Sequence, residues 1–279
     1  MTDFLVRMAE RSRQRSSEAM ALRPEAELLR LACSKPRPPP LRLSPEGFDL
    51  IAEVKRRSPA VGRLADDALS PPEQADKYAT AGAAAISVLT EPDEFLGDLA
   101  HLEQVVERVS AVPAMRKDFL ATSYQVIEGR AAGAGGVLLV VAMLTPDRLR
   151  EMLETTLKLN MFALVEVFTE AELDVCAPVL EEFDDDGDGL DMPIVLGVNC
   201  RDLRNLDIDF ARFEQFAHLL PSQFPWVAES GVLHAEQAGQ VAALGYRLAL
   251  VGTALMRAPD PVAAAQDLLS AGRRVAVLP

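Results

Sequence analysis

Two side chains of opposite charge, Glu53 and Lys55, interrupt the apolar run that opens the stretch Leu50-Ile-Ala-Glu-Val-Lys-Arg-Arg-Ser-Pro-Ala-Val-Gly62. In a strand, residues two apart project to the same face, so the carboxylate and the ammonium lie together on a segment otherwise suited to burial. Such charges are costly inside a protein unless they are paired or used. A structural ion pair and a site for proton transfer both satisfy that condition, and this stretch alone does not choose between them. Ser58-Pro59 follows, with the proline holding the serine extended, so the strand runs into a loop that is first charged and then suited to phosphate.

The elements that must position these groups can be read from the periodicity. From Asp49 onward one unit recurs: an apolar strand of five to seven residues ending in a polar residue, then a helix, often closed by glycine. The strands fall at 49–55, 85–90, 112–117, 136–142, 162–167, 193–199, 225–229 and 247–251. The helices fall at 71–81, 97–109, 122–132, 145–159, 170–182, 208–218, 234–244 and 261–271. Gly82, Gly133 and Gly245 sit where a helix C′ residue belongs, and Thr122, Thr145 and Thr169 where N-caps belong, the second with Pro146 at the first helical position. Strict alternation of strand and helix implies parallel strands with right-handed crossovers. A count of eight favours a closed (β/α)8 TIM barrel, an α/β fold, over an open doubly wound sheet. No Gly-x-Gly-x-x-Gly follows any strand, which argues against dinucleotide binding.

Ahead of the first strand, residues 3–33 carry a helical pattern (Phe4, Leu5, Met8, then Leu22, Ala26, Leu28, Leu29, Leu31) that Pro24 divides in two. Lys35-Pro-Arg-Pro-Pro-Pro40 reads as a stiff linker. Residues 1–48 are therefore expected to form an N-terminal helical extension with a Pro-rich linker, and 49–279 the barrel domain.

In a barrel of this kind the active site is built at the C-terminal ends of the strands. The polar residues there are Glu53 and Lys55; Ser87 and Thr90-Glu91; Arg116-Lys117-Asp118-Phe119; Glu166; Asn199-Cys200-Arg201-Asp202; Glu229-Ser230-Gly231; and Gly252-Thr253-Ala254. Any one of them could be a structural polar group at a strand end. Two lysines and three carboxylates converging on one rim are harder to explain that way, and such clusters are how a lysine or glutamate is tuned for proton transfer near neutral pH. The loops after the seventh and eighth strands commonly hold phosphate in this fold, and Ser230, Gly231, Gly252 and Thr253 supply hydroxyls and close backbone approach there.

Composition limits the partners. A formal net charge of -14 makes a nucleic-acid backbone or an anionic membrane an unsuitable target, and no apolar run reaches membrane length. Cys33, Cys176 and Cys200, and His101, His218 and His234, show neither disulfide nor metal-ligand spacing. The first twenty residues lack the apolar core of a signal peptide, which suggests a cytoplasmic enzyme. Asp184, Asp186, Asp188 and Gly189 match the first half of a calcium-binding loop, but the twelfth position is Val195 and a strand follows, so a solvated acidic loop over 181–191 is the expectation.

Taken in order, these motifs resemble those of indole-3-glycerol phosphate synthases: Ile-Ala-Glu-Val-Lys-Arg-Arg-Ser-Pro (51–59), Ile-Ser-Val-Leu-Thr-Glu (86–91) with Phe95 and Gly97, Arg-Lys-Asp-Phe (116–119), Val-Leu-Leu-Val-Val-Ala (137–142), Leu-Val-Glu-Val (164–167), Gly-Val-Asn-Cys-Arg-Asp-Leu (197–203), Ala-Glu-Ser-Gly (228–231) and Leu-Val-Gly-Thr-Ala-Leu-Met-Arg (250–257). The resemblance spans residues 50–261 and implies ring closure of 1-(2-carboxyphenylamino)-1-deoxyribulose 5-phosphate to indole-3-glycerol phosphate, with loss of CO2 and water, in tryptophan biosynthesis. It implies Lys117 as proton donor to the developing alkoxide, Lys55 as carboxylate contact and dehydration acid, and Glu166 as general acid/base. Glu53 and Glu229 would hold the lysines, while Asn199 and Arg201 would steady the substrate. Phe95, Phe119 and Leu138 would form the aromatic slot. Ser58, Ser230, Gly231, Gly252 and Thr253 would take the phosphate, with Arg57 beside them. No metal, organic cofactor or obligate protein partner is implied.

The chain departs from the family where Cys200 stands for a second Asn, Thr253 for Glu or Ser, and Phe95-Leu96-Gly97-Asp98 for a more glycine-rich loop. Two other readings stay open on sequence. One is a phosphoribosylanthranilate isomerase on the same barrel, which would want a cysteine and an aspartate at strand ends. The other is a non-catalytic or specialised-pathway paralogue that binds an anthranilate-type phosphosugar.

Overall fold

A computed structural model describes residues 3–64, 70–183, 193–201, 207–219 and 221–276. Eight parallel strands, β1 (Asp49–Val54), β2 (Ala85–Leu89), β3 (Ala114–Lys117), β4 (Gly136–Val140), β5 (Phe162–Val167), β6 (Ile194–Asn199), β7 (Trp226–Glu229) and β8 (Leu248–Val251), close into a barrel. Each pairs with its sequence neighbours, and β8 returns to β1 in the register Ile51↔Leu250. Outside them lie the helices Pro71–Thr80, Leu99–Arg108, Ser123–Ala131, Pro146–Lys158, Glu170–Leu180, Arg212–Phe216, Ala235–Ala243 and Pro261–Val275.

The strands are apolar on both faces because both are covered. One alternating set, including Leu50, Ala52, Val54, Ile86 and Val88, packs under the helices. The other (Ile51, Ala85, Met115, Leu138, Leu164, Val195, Val227, Leu248) fills the lumen. Extending these rows by two residues reaches the C-terminal rim, where several side chains turn polar: Ile51 leads to Glu53 and on to Lys55, Met115 to Lys117, Leu164 to Glu166 and Val227 to Glu229, while Leu138 and Leu248 lead to the apolar Val140 and Leu250. The packed lumen is thus the floor of a charged mouth.

The expected helix punctuation holds at most positions. Gly82, Gly133 and Gly245 have φ of +96°, +94° and +96°, closing their helices in the left-handed conformation. Thr145 and Thr169 accept from the backbone N–H of Arg148 and Glu172. Thr122 occupies the N-cap position without capping; its hydroxyl meets Ser16 Oγ at 2.7 Å instead.

The differences lie in the rim loops. Arg57–Ser58 and Gly62–Arg63 pair as a small antiparallel hairpin after β1. The helix expected over 97–109 begins at Leu99, and a separate turn, Pro92–Phe95, precedes it. Glu91 causes the split, its carboxylate accepting from the N–H groups of Asp93, Glu94 and Phe95. Residues 141–143 form a 3-10 turn rather than the end of β4. The helix expected over 208–218 shrinks to Arg212–Phe216 because Ile208 bridges to Arg201 in extended backbone. Thr253 opens a short helix, Thr253–Arg257, rather than a loop. Of the acidic segment 181–191, only the turn Glu181–Phe183 falls within the described residues.

Two helices precede the barrel, α1 (Asp3–Leu22) and α2 (Glu25–Ser34), separated at Pro24. The buried face of α1 runs Leu5, Met8, Ala9, Ser12, Ser16, a helical spacing that begins apolar and ends in hydroxyls. Ser12 meets the amide of Gln125, and α2 buries Leu28 and Ala32. No helix among the described residues is long and apolar enough to cross a membrane.

The strands that carry Glu229 and Gly252 are braced from behind by edge-to-face aromatic contacts, Trp226–Tyr246 at 5.4 Å, Tyr246–Phe213 at 5.3 Å and Phe213–Phe210 at 5.1 Å. The fully buried Tyr246 hydroxyl donates to the Phe213 carbonyl at 3.1 Å. Tyr246→Phe is expected to lower unfolding stability by about 1 kcal/mol, the net value of one such bond. A urea midpoint equal to that of the wild type would show that the bond contributes nothing.

Candidate active site

The charged mouth is a cavity of roughly 980 Å³, its open entrance included. It brings together Glu53, Lys55, Ser58, Phe95, Lys117, Phe119, Leu138, Glu166, Asn199, Arg201, Glu229, Ser230, Gly231, Gly252 and Thr253, whereas Arg57, expected beside the phosphate, sits in the hairpin after β1 and does not line the cavity. Charge lies at the base, aromatic rings on one wall, and glycines with hydroxyls on another.

At the base, Lys55 Nζ lies 2.6 Å from Glu53 Oε2. Lys117 Nζ lies 3.2 Å from Glu229 Oε2 and 3.6 Å from Glu166 Oε2. Asn199 Nδ2 donates to Glu166 Oε2 at 3.0 Å, while its carbonyl accepts from the Arg201 backbone N–H at 3.0 Å. Neighbouring strands make room for these groups where they carry glycine. A side chain at Gly252 would run into the Glu53 carboxylate, and one at Gly197 into that of Glu229. Burial works to lower the pKa of Lys117, but Glu229, Glu166 and Glu53 outweigh it and hold the ammonium above the usual lysine range. The residue is therefore a cation at neutral pH, able to donate a proton or to stabilise a developing anion.

On the apolar wall, Phe119 packs between Phe95 (6.2 Å between ring centroids) and Phe4 (5.8 Å, edge-on), with Leu89 and Leu138 below. On the opposite wall the chain leaves β7 through Ser230 and Gly231, with φ of +64° and +75°, a turn that few residues other than glycine follow. Serine in that conformation is a local irregularity beside the site.

Cys200, directly after β6, belongs to the layer between strands and helices rather than to the cavity, and burial pushes its thiol up to about 12. Cys176 is likewise buried with its thiol near 12. Neither can act as the thiolate base that the isomerase reading requires.

Sequence reasoning named Asp118 at the rim without giving it a role, and missed Phe4 as a cavity residue and Arg15 behind it. Arg15 of α1 reaches two carboxylates at the rim, Glu91 at 3.4 Å and Asp118 at 2.9 Å, both nearly fully buried. Each carboxylate orients part of the aromatic wall: Glu91 accepts from the Phe95 N–H, Asp118 from the Phe119 N–H. Thr90 Oγ1 and Arg116 add further bonds to Asp118. Phe4 was visible as part of an apolar helical stripe, but only its docking on the rim gives it a place at the site.

The fold and this cavity define a (β/α)8-barrel enzyme with a lysine–carboxylate centre. Comparison with known proteins makes the assignment specific. The family model described as indole-3-glycerol phosphate synthase matches residues 19–268. A relative named indole-3-glycerol phosphate synthase from Lactiplantibacillus plantarum is 40% identical over 226 residues, covering 81% of this chain and 82% of its own. One of the same name from Mycolicibacterium smegmatis is 42% identical over 243 residues, covering 86% of this chain and 84% of its own. The chain belongs to the indole-3-glycerol phosphate synthase family. Among solved structures, 3-hexulose-6-phosphate synthase from Salmonella typhimurium superposes with a TM-score of 0.62 at 16% identity, covering 81% of this chain and 99% of that one, a likeness of fold alone.

Because Arg15 is the cation that reaches both Glu91 and Asp118, Arg15→Ala takes the counter-charge from the buried Glu91 and leaves the buried Asp118 with Arg116 alone. Breaking a fully buried pair costs about 3–5 kcal/mol. Arg15 is 26% exposed, so solvent screens part of that, and a loss of about 2 kcal/mol in urea unfolding is expected. An unchanged midpoint would show that α1 is held by its apolar stripe alone.

Proposed function

We propose that the chain catalyses the closure of 1-(2-carboxyphenylamino)-1-deoxyribulose 5-phosphate to indole-3-glycerol phosphate, with release of CO2 and water. The observation that carries this reading is the buried Lys117 ammonium between Glu229 and Glu166, set between an aromatic wall and a glycine–hydroxyl wall. A phosphorylated substrate with an aromatic acid at one end and a sugar chain at the other matches that layout.

The aromatic ring slides between Phe95, Phe119 and Leu138, and the phosphate sits against Ser58, Ser230, Gly231, Gly252 and Thr253. This orientation presents the ketone to Lys117 and the ring carboxylate to Lys55. The ring carbon bearing the carboxylate attacks the ketone carbon, and the C=O electrons pass to oxygen, which takes the proton of Lys117. Loss of CO2 returns an electron pair to the ring and restores its aromaticity. The hydroxyl then leaves as water with a proton from Lys55, and Glu166 takes the proton released as the new five-membered ring becomes unsaturated. Glu53 stays on Lys55 throughout, 2.6 Å away, and Asn199 keeps Glu166 turned to the cavity. Arg201 steadies the substrate's hydroxyls and carboxylate.

Turnover of this substrate, followed by the fluorescence of the indole product, tests the reading. Lys117→Ala and Glu166→Gln are each expected to lower kcat by roughly a hundredfold or more, the usual scale of general acid–base catalysis. Wild-type protein that binds the substrate without turning it over would sink the assignment in favour of a non-catalytic paralogue.

A further inference from the structure

The base of the cavity holds more acceptors than its cations can satisfy. Lys55 is committed to Glu53 at 2.6 Å, so Lys117 is left to face both Glu166 and Glu229. The two are not equally provided for. Glu166 Oε2 receives the Asn199 amide at 3.0 Å in addition to the ammonium. Glu229 has Lys117 on Oε2, while its Oε1 is fully buried with no donor among the described residues. The backbone of Gly197 lies against Oε1, where even a methyl group would collide, so that side offers no room for water. Lys117 Nζ is the shared neighbour of the two carboxyls, 3.2 Å from Glu229 Oε2 and 3.6 Å from Glu166 Oε2, so it draws them together at the base. Ionised carboxylates only accept, so two of them drawn together repel unless one carries a proton.

We propose that Glu229 stands in the resting site as a neutral carboxylic acid whose O–H donates to Glu166, making it a positioning residue for the Lys117–Glu166 pair rather than a second counter-ion. The proton belongs on Glu229 because it is the carboxyl with fewer donors and the deeper burial. Burial and the neighbouring Glu166 charge push its carboxyl well above the usual carboxylate range, and Lys117 opposes them without prevailing. The other groups around it are Glu53 and Lys55 from β1, Asn199 from β6 and Arg201 just beyond it. None of these supplies Oε1 with a donor in this structure. With Glu229 neutral, the base carries two matched pairs, Lys55 with Glu53 and Lys117 with Glu166. The O–H holds Glu166 at a fixed angle to Lys117. This inference deepens the synthase reading and rests on it for what the pair does, but not for where the proton lies.

The test combines infrared spectroscopy of the resting protein with kinetics. A protonated carboxyl absorbs at a higher carbonyl frequency than amides or carboxylates, and other protonated carboxyls cancel in a difference spectrum. Wild type minus Glu229→Gln is expected to show one such band at neutral pH. A glutamine amide donates to Glu166 as the O–H does, so Glu229→Gln should keep kcat within about tenfold of wild type. Glu229→Ala, which leaves the pair unheld, should fall by about a hundredfold or more. No carboxylic band in the difference, or Glu229→Gln as impaired as Glu229→Ala, would overturn the proposal. The spectra need only wild type and the isosteric variant, so a poorly folded Glu229→Ala does not weaken the result. Wild type that fails to turn over the carboxyphenylamino-deoxyribulose phosphate would remove the synthase reading, while the band would still decide the proton.

Discussion

Lys117 is an ammonium buried at the top of a packed barrel, and the rest of the site follows from what is needed to keep it charged. Burying an isolated cation costs several kcal/mol even after relaxation, and a lysine without partners answers by losing its proton. Here the penalty is met by the Glu166 carboxylate at 3.6 Å and by a hydrogen bond to Glu229 at 3.2 Å, delivered from two other strands of the barrel. No local segment could do this. The three residues are brought together only because β3, β5 and β7 run parallel and place their lumen-facing rows at one height. A slip of one residue in any of these strands would turn its charge outward into the helix layer.

The same geometry explains which positions must stay small. A closed barrel has a crowded lumen, and a carboxylate projecting into it needs space that a neighbouring strand gives up. Gly197 makes that space for Glu229 and Gly252 for Glu53. Gly252 was visible in the sequence as a candidate phosphate-loop residue and does line the cavity, while Gly197 stood only as part of a strand motif. Their steric role toward the charged base, however, depends on strand register and on the rotamers of residues far away in the chain.

Much of the fold was legible because it rests on short-range rules. The eight strands lie within a residue or two of where apolar runs placed them, and Gly82, Gly133 and Gly245 end helices where a left-handed residue was expected. Rim loops were less legible because long-range hydrogen bonds decide them. Glu91 read as a polar residue at a strand end, yet its carboxylate caps a separate turn and delays the next helix to Leu99. Thr122 had the chemistry of an N-cap, but Ser16, 106 positions away, claims its hydroxyl. The site residues gathered in one cavity because motif and barrel rim pointed to the same places. Phe4 and Arg15 could not be assigned partners, since the family resemblance implied a helical extension folded over the barrel mouth but nothing in the sequence of α1 says which rim groups its side chains meet.

That extension links the two halves of the site. Arg15 binds Asp118, the residue directly after Lys117, and Glu91, which seats Phe95. Phe4 closes the aromatic wall against Phe119. One helix outside the barrel therefore completes the apolar slot and, through Asp118, braces the end of the strand that carries the buried ammonium. Loops at a barrel mouth are the natural place for adaptable chemistry, but they are less rigid than the strands beneath them. Anchoring two of these loops to a helix through carboxylates that are themselves buried gives them a fixed geometry. The proton chemistry at the base can then rely on a substrate ring that is held from above.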